Sequence, residues 1–171
     1  FDIATVSGYF GDSSDGALTI SVNTTEAPID SACTGTIATT SLSATNVSFA
    51  SGQVILIHQT RGTNAGTWQR NTISGYTAGT ITTVDALNAT YTTGAQVRVM
   101  KQYSAVTVNT GITYTAKAWD GTVGGIIAFI CSGNVSSADR TRLFYLRSVF
   151  MSNDLMSKKF DGTGVRILMI E

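Results

Sequence analysis

His58 is the only histidine in the chain, so any acid–base or nucleophilic chemistry near neutral pH has to start from it. Serines and aspartates are plentiful enough to imagine a Ser–His–Asp triad. However, His58 sits inside the apolar run Val54–Gln59 (VILIHQ), and no Gly-x-Ser-x-Gly elbow occurs anywhere. It reads as a hydrogen-bonded strand residue. Asp12 and Asp15 are the closest pair of early carboxylates. Glycoside hydrolysis needs two acids flanking one bond, but these two lie in a polar turn with no apolar pocket to raise a pKa. The same turn fails the D-x-D-x-D-G calcium pattern. Asp12 and Asp15 therefore stay as metal candidates only if distant oxygens complete a site; no metal, no cofactor and no enzymatic activity are expected. Trp68 and Trp119 offer flat rings beside polar groups, Gln69 in one case and Asp120 in the other. That mixture suits a sugar ring, although packing is the commoner fate of tryptophan.

Two cysteines, Cys33 and Cys131, match no metal spacing and no CxxC motif. One long-range disulfide or two buried thiols are both open. Arg140, Arg142 and Arg147 form the densest basic cluster, read as a solvated or subunit-facing side. The glycines of 121–125 lack the context of a phosphate loop. Formal net charge is zero, which argues against a nucleic-acid partner. The charge is nonetheless divided. Residues 1–60 hold five acids and no Lys or Arg, a net of −5, and the remainder carries +5. A bipolar subunit of this kind favours head-to-tail assembly; drift in a lightly charged chain is the plainer reading.

These residues need a scaffold, and the composition indicates which. Charged residues are only 13%, while 27 Thr and 17 Ser supply the polarity. Thr suits a pleated surface and Ser suits turns. With 17 Gly and one Pro, the chain reads as many short strands joined by Gly-rich turns. Strands are expected at 17–22 (ALTISV), 54–59, 67–73 (TWQRNTI), 79–84 (GTITTV), 95–102 (AQVRVMKQ) and 105–108. Along 95–102, Val97 and Val99 should face the core, with Gln96, Arg98 and Met100 on the other side. Asp120-Gly121 between apolar runs signals a hairpin, and Gly124-Gly125 a bulge. Residues 23–53 give weak signals. Residues 134–161 contain no glycine and suggest a helix capped by Ser137, with a long strand as the alternative. Residues 164–171 (GVRILMIE) read as a last strand that must find a partner. The expected organisation is an N-terminal arm over 1–10, a β-rich core over 11–133 and a C-terminal assembly segment over 134–171. The expected fold is mainly β, an antiparallel β-sandwich or barrel-like domain with a short C-terminal helix or extra strand. No apolar run is long enough to span a membrane as a helix, and a first residue of Phe is read as processing or an incomplete chain.

Four segments carry a resemblance: 11–21 (GDSSDGALTIS), 54–68 (VILIHQTRGTNAGTW), 94–108 (GAQVRVMKQYSAVTV) and 119–133 (WDGTVGGIIAFICSG). Together they resemble a β-rich unit of phage virion proteins, tail fibres among them, and of large bacterial surface proteins. In that unit a GDGSDG-like opening leads to an ILI-x-QT strand and a sheet ending in a WDG-x-x-GG turn. The resemblance covers roughly residues 8–133 and implies no enzyme. Its relatives run on into solenoid-like repeats, but this chain departs from them at Asn134, which favours a compact subunit with a C-terminal assembly element. The function so implied is a structural subunit of a phage or virus particle, a fibre, tail or capsid-decorating protein acting through self-assembly. The alternative is a secreted bacterial adhesin or carbohydrate-binding module. Partners would be copies of itself, other virion structural proteins and a host-surface glycan, without nucleic acid or membrane insertion, at the virion or an extracellular surface. Contact residues for assembly are expected at Phe1, Phe10, Arg140, Arg142, Arg147, Val165, Ile167 and Met169, and ligand contacts at Trp68, Trp119 and Asp120.

Overall fold

A computed structural model describes residues 11–45 and 48–137. Among these residues the chain forms strands and no helix: β1 Ala17–Ile20, β2 Thr24–Thr25, β3 Asp30–Gly35, β4 Ser41–Ala44, β5 Val54–Gln59, β6 Trp68–Thr77, β7 Thr80–Thr83, β8 Tyr91–Val99, β9 Lys101–Tyr103, β10 Ala105–Val108, β11 Tyr114–Thr115, β12 Phe129–Cys131 and β13 Val135–Ser137. They fall into two compact units. One comprises 27–100 with 118–124; the other, among the described residues, comprises 11–26, 101–117 and 125–137.

The first unit is a closed antiparallel barrel in the order β3-β4-β7-β6-β5-β8. Of the two architectures expected, the barrel is the one formed. Alternation supplies its interior: Leu42 and Ala44, Ile55 and Ile57, Ile81, and Ala95, Val97 and Val99 belong to one buried cluster. The run VILIHQ is buried at every position, as a strand covered on both faces should be. The expected alternation along 95–102 is not seen in exposure. Val97 and Val99 do join the core, but Gln96, Arg98 and Met100 are buried too. For Gln96 the cover is visible: its amide meets Gly124 of the 118–124 segment.

Leu87 plugs one end of the barrel. It lies on the 84–90 loop between β7 and β8, is 2% exposed, and belongs to the barrel core. Its backbone is tied to the β3–β4 loop, because Leu87 N donates to Thr39 O and Ala38 N donates to Leu87 O, each at 2.8 Å. Gly35 makes the room: a Cβ there would come within 2.5 Å of Leu87 Cδ1. Truncating such a side chain leaves a cavity. Leu87→Ala is therefore expected to cost about 2–5 kcal/mol in chemical denaturation, and a loss below ~1 kcal/mol would contradict the plug.

The second unit is built from parallel ladders. β1, β10 and β13 form one sheet, β2 pairs with β11, and β9 pairs with β12. Leu18, Val106 and Val135 occupy the same register position on successive strands. All three ladders contribute to one core, in which Val106, Phe129 and Cys131 are packed by Leu18, Tyr103, Tyr114 and Val135. Stacked rungs around a common interior are a solenoid-like arrangement.

Two expectations are corrected here. Asp120-Gly121 does not close a hairpin. The strands flanking it, β11 and β12, pair in parallel with β2 and β9. The dipeptide instead makes a local turn, with Asp120 N donating to Val123 O at 3.1 Å. Ser137 ends β13, which continues the parallel ladder past Asn134, where a departure from the rung pattern was expected; the helix expected to follow Ser137 lies outside the described residues. β13 is an extra strand in the sense anticipated, and the remainder of 138–171 lies outside the described residues. So do the arm 1–10 and the assembly candidates Phe1, Phe10, Arg140, Arg142, Arg147, Val165, Ile167 and Met169.

Candidate functional site

Strand direction places the loops 36–40, 60–67 and 84–90 at one end of the barrel. β3, β5 and β7 end there and β4, β6 and β8 begin there, as the pairs Gly35–Tyr91, Ser41–Thr82 and His58–Trp68 require. The 118–124 segment joins this end through side chains. Arg61 Nη2 donates to Gly121 O at 2.5 Å, and its guanidinium carbon lies 5.4 Å from the centroid of the Trp119 ring. That is cation–π range.

Both partners are held firmly. Gln59 is fully buried just before the loop; its Nε2 donates to Arg61 O at 2.7 Å, and its Oε1 accepts from Thr92 N at 2.8 Å. Arg61 N donates to Gly94 O at 3.3 Å. On the other side, Asp120 Oδ1 accepts from Thr122 N, Thr122 Oγ1 and Val123 N at 2.7–2.9 Å. Gly124 is anchored by Gln96 at both its N and its O, at 3.0 and 3.2 Å. Trp119 remains 38% exposed between these anchors. Asp120, expected as a ligand contact, shapes the turn through its Oδ1.

Trp68 has a different place. It opens β6, is partly buried, and its carbonyl accepts from Asn88 Nδ2 at 3.2 Å. The side chain that meets Trp119 is Arg61, which the sequence reading passed over.

No family model matches the chain, and no curated protein matches it in sequence. Among solved structures it is similar to phage tailspike proteins. One is the Gp54 tailspike of Acinetobacter baumannii bacteriophage AP22, in complex with A. baumannii capsular saccharide, with 6% identity, a TM-score of 0.34, and coverage of 57% of this chain and 22% of that one. Another is the tailspike gp49 of Pseudomonas phage LKA1, with 10% identity, a TM-score of 0.34, and coverage of 58% and 24%. The chain thus spans less than a quarter of the length of either tailspike.

The other candidates are committed to structure. His58 is 1% exposed, with Nδ1 3.0 Å from Thr60 Oγ1. Thr60 Oγ1 accepts from Gln96 Nε2 at 2.8 Å, so a chain of contacts runs from His58 through Thr60 and Gln96 to Gly124. In the ladder unit, Asp12 Oδ1 accepts from Ser14 N at 2.9 Å, and these Ser14 contacts hold its carboxyl below the usual range. Asp15 pairs with Lys101 Nζ and accepts from Gln102 N, each at 2.7 Å. Among the described residues no group of three or more His, Cys, Asp or Glu could hold a metal ion. Both cysteines are buried free thiols, and burial pushes the Cys33 thiol up.

Proposed function

We propose that the chain is a non-catalytic structural segment of a phage or virus-like particle, of the fibre, tail or capsid-decorating kind, that works by self-association at the virion or another external surface. The observation that supports this reading is the ladder unit. Its strands stack by parallel main-chain bonds, with Leu18, Val106 and Val135 superposed rung on rung. Such a stack grows by adding strands, from the same chain or from another copy. Partners are then further copies and other virion structural proteins. Light scattering of the purified chain over a wide concentration range is the test. A mass of several protomers is expected, and a strict monomer at the highest concentration would sink the proposal.

A second reading, a surface adhesin or carbohydrate-binding module, is favoured by one particular observation: the exposed Trp119 ring braced by Arg61. The two readings are compatible, since a particle's outer surface is where a host glycan is met.

A further inference from the structure

We propose that Arg61 and Trp119 form a binding site for an acidic saccharide, one bearing a uronic-acid or sialic-acid carboxylate. The proposal rests on the carbohydrate-binding reading above, naming its ligand class, and does not depend on self-association.

The argument begins with rigidity. The Trp119 residue is left 38% exposed, yet the segment that carries it is tied down at several points. The Asp120 carboxylate accepts three bonds, Gly124 is clamped by Gln96 at both main-chain atoms, and Val123 is buried. Arg61 is placed with equal care. Gln59 fixes its carbonyl, and its stem lies where Gly94 has no side chain: a Cβ on Gly94 would approach Arg61 O to 2.6 Å and Arg61 Cγ to 2.7 Å. Two independent anchors thus bring an exposed cation and an exposed ring together. Fixing both before a ligand arrives removes the ordering cost of binding.

Charge then selects the ligand. A guanidinium offers five N–H donors, of which one bond, to Gly121 O, is satisfied here. Among the described residues no carboxylate forms a salt bridge with Arg61. The neighbouring Asp120 carboxylate accepts three bonds from its own turn through Oδ1. A planar fork of donors beside an aromatic face matches a carboxylate on a sugar ring: the fork takes the carboxylate in bidentate fashion and the ring takes the apolar face of the pyranose. The surrounding loop, with Thr63, Asn64 and Thr67, adds neutral hydrogen-bonding groups and no competing charge. A ring beside a cation and neutral hydrogen-bonding groups suits a saccharide.

The test uses the full chain on an array of oligosaccharides ending in N-acetylneuraminic acid, glucuronate or galacturonate, each beside its neutral counterpart, followed by calorimetry on the best acidic probe. Binding to one acidic series is expected, with Trp119 fluorescence changing on titration. Trp119→Ala should weaken that binding at least tenfold, as should Arg61→Lys, which keeps the charge and loses the fork. Thermal melts check that each variant is folded; Trp119→Phe, which retains a ring, should keep most of the affinity and guards against a folding artefact. Equal binding to acidic and neutral sugars, no saccharide bound, or unchanged affinity in folded Arg61→Lys each overturns the proposal. Because light scattering reads self-association separately, failure of one proposal leaves the other to be judged on its own result.

Discussion

Gly94→Ala is expected to destabilise the protein by about 3 kcal/mol, a fall of roughly 6–12 °C in the unfolding midpoint of a chain this size. Two physical causes add. Gly94 has a φ of +99°, where L side chains are strained. Its new Cβ would also press on main-chain atoms of Arg61, which cannot swing aside as the end of a flexible side chain could. Arg61 N bonds to Gly94 O and its carbonyl is held by Gln59, so the collision displaces the loop after β5. Gly111→Ala separates the two causes. It has a φ of +74° but open space around its Cβ position, so only the backbone term of about 1 kcal/mol should appear. Differential scanning calorimetry of both variants decides the matter. If they lose the same amount, the Arg61 contact contributes nothing. A folded Gly94→Ala protein should also show altered Trp119 fluorescence, because the Arg61 guanidinium that covers the ring moves with the loop.

How far the sequence revealed this arrangement depended on whether a signal was local. β5 and β10 fall where VILIHQ and 105–108 placed them, because a continuous or alternating apolar run needs no partner to be recognised. β3 and β4 lay hidden in the weak stretch 23–53. Their core residues are Cys33, Leu42 and Ala44, and small or isolated apolar side chains between serines and threonines carry little periodic signal. Closure of the barrel was legible only as a class, since it depends on β3 meeting β8 and β4 meeting β7 across long separations. Asp120-Gly121 misled for a physical reason. The dipeptide does favour a tight turn, but a turn becomes a hairpin only if the flanking strands prefer one another, and here parallel partners prevail. The site was half legible. Trp119 could be named for its chemistry, but Arg61 depended on a contact 58 positions away in the chain, and nothing in the local sequence signals such a contact.

Folding stability should fall as the pH drops from about 6.5 to about 4, by on the order of 3 kcal/mol from His58 alone. Burial lowers the His58 pKa from its ordinary 6.5 to about 4, because the charged imidazolium is poorly solvated in a strand with every residue covered. The unfolded chain takes up the proton near 6.5, whereas the folded chain resists it until about 4. Between those values the unfolded state binds more protons, so acid favours unfolding; above about 6.5 both states are neutral and the stability is fully retained. The Asp12 carboxyl is also held below its ordinary value of 3.8, and its contribution is lost only at still lower pH, so the two do not overlap. Urea denaturation at pH 7.5, 5.5 and 4.2 should show the slope, and His58→Gln should flatten it over that window while leaving the loss below pH 3.8. A wild-type protein equally stable at 7.5 and 4.2 would mean that His58 is not held neutral by burial. The consequence reaches the candidate site, because the contacts from His58 pass through Thr60 and Gln96 to Gly124. Protonation that loosens this chain frees the anchor of the segment that carries Trp119. Binding of an acidic saccharide should therefore weaken below about pH 4.5 before the barrel unfolds, and the loss should be absent from His58→Gln.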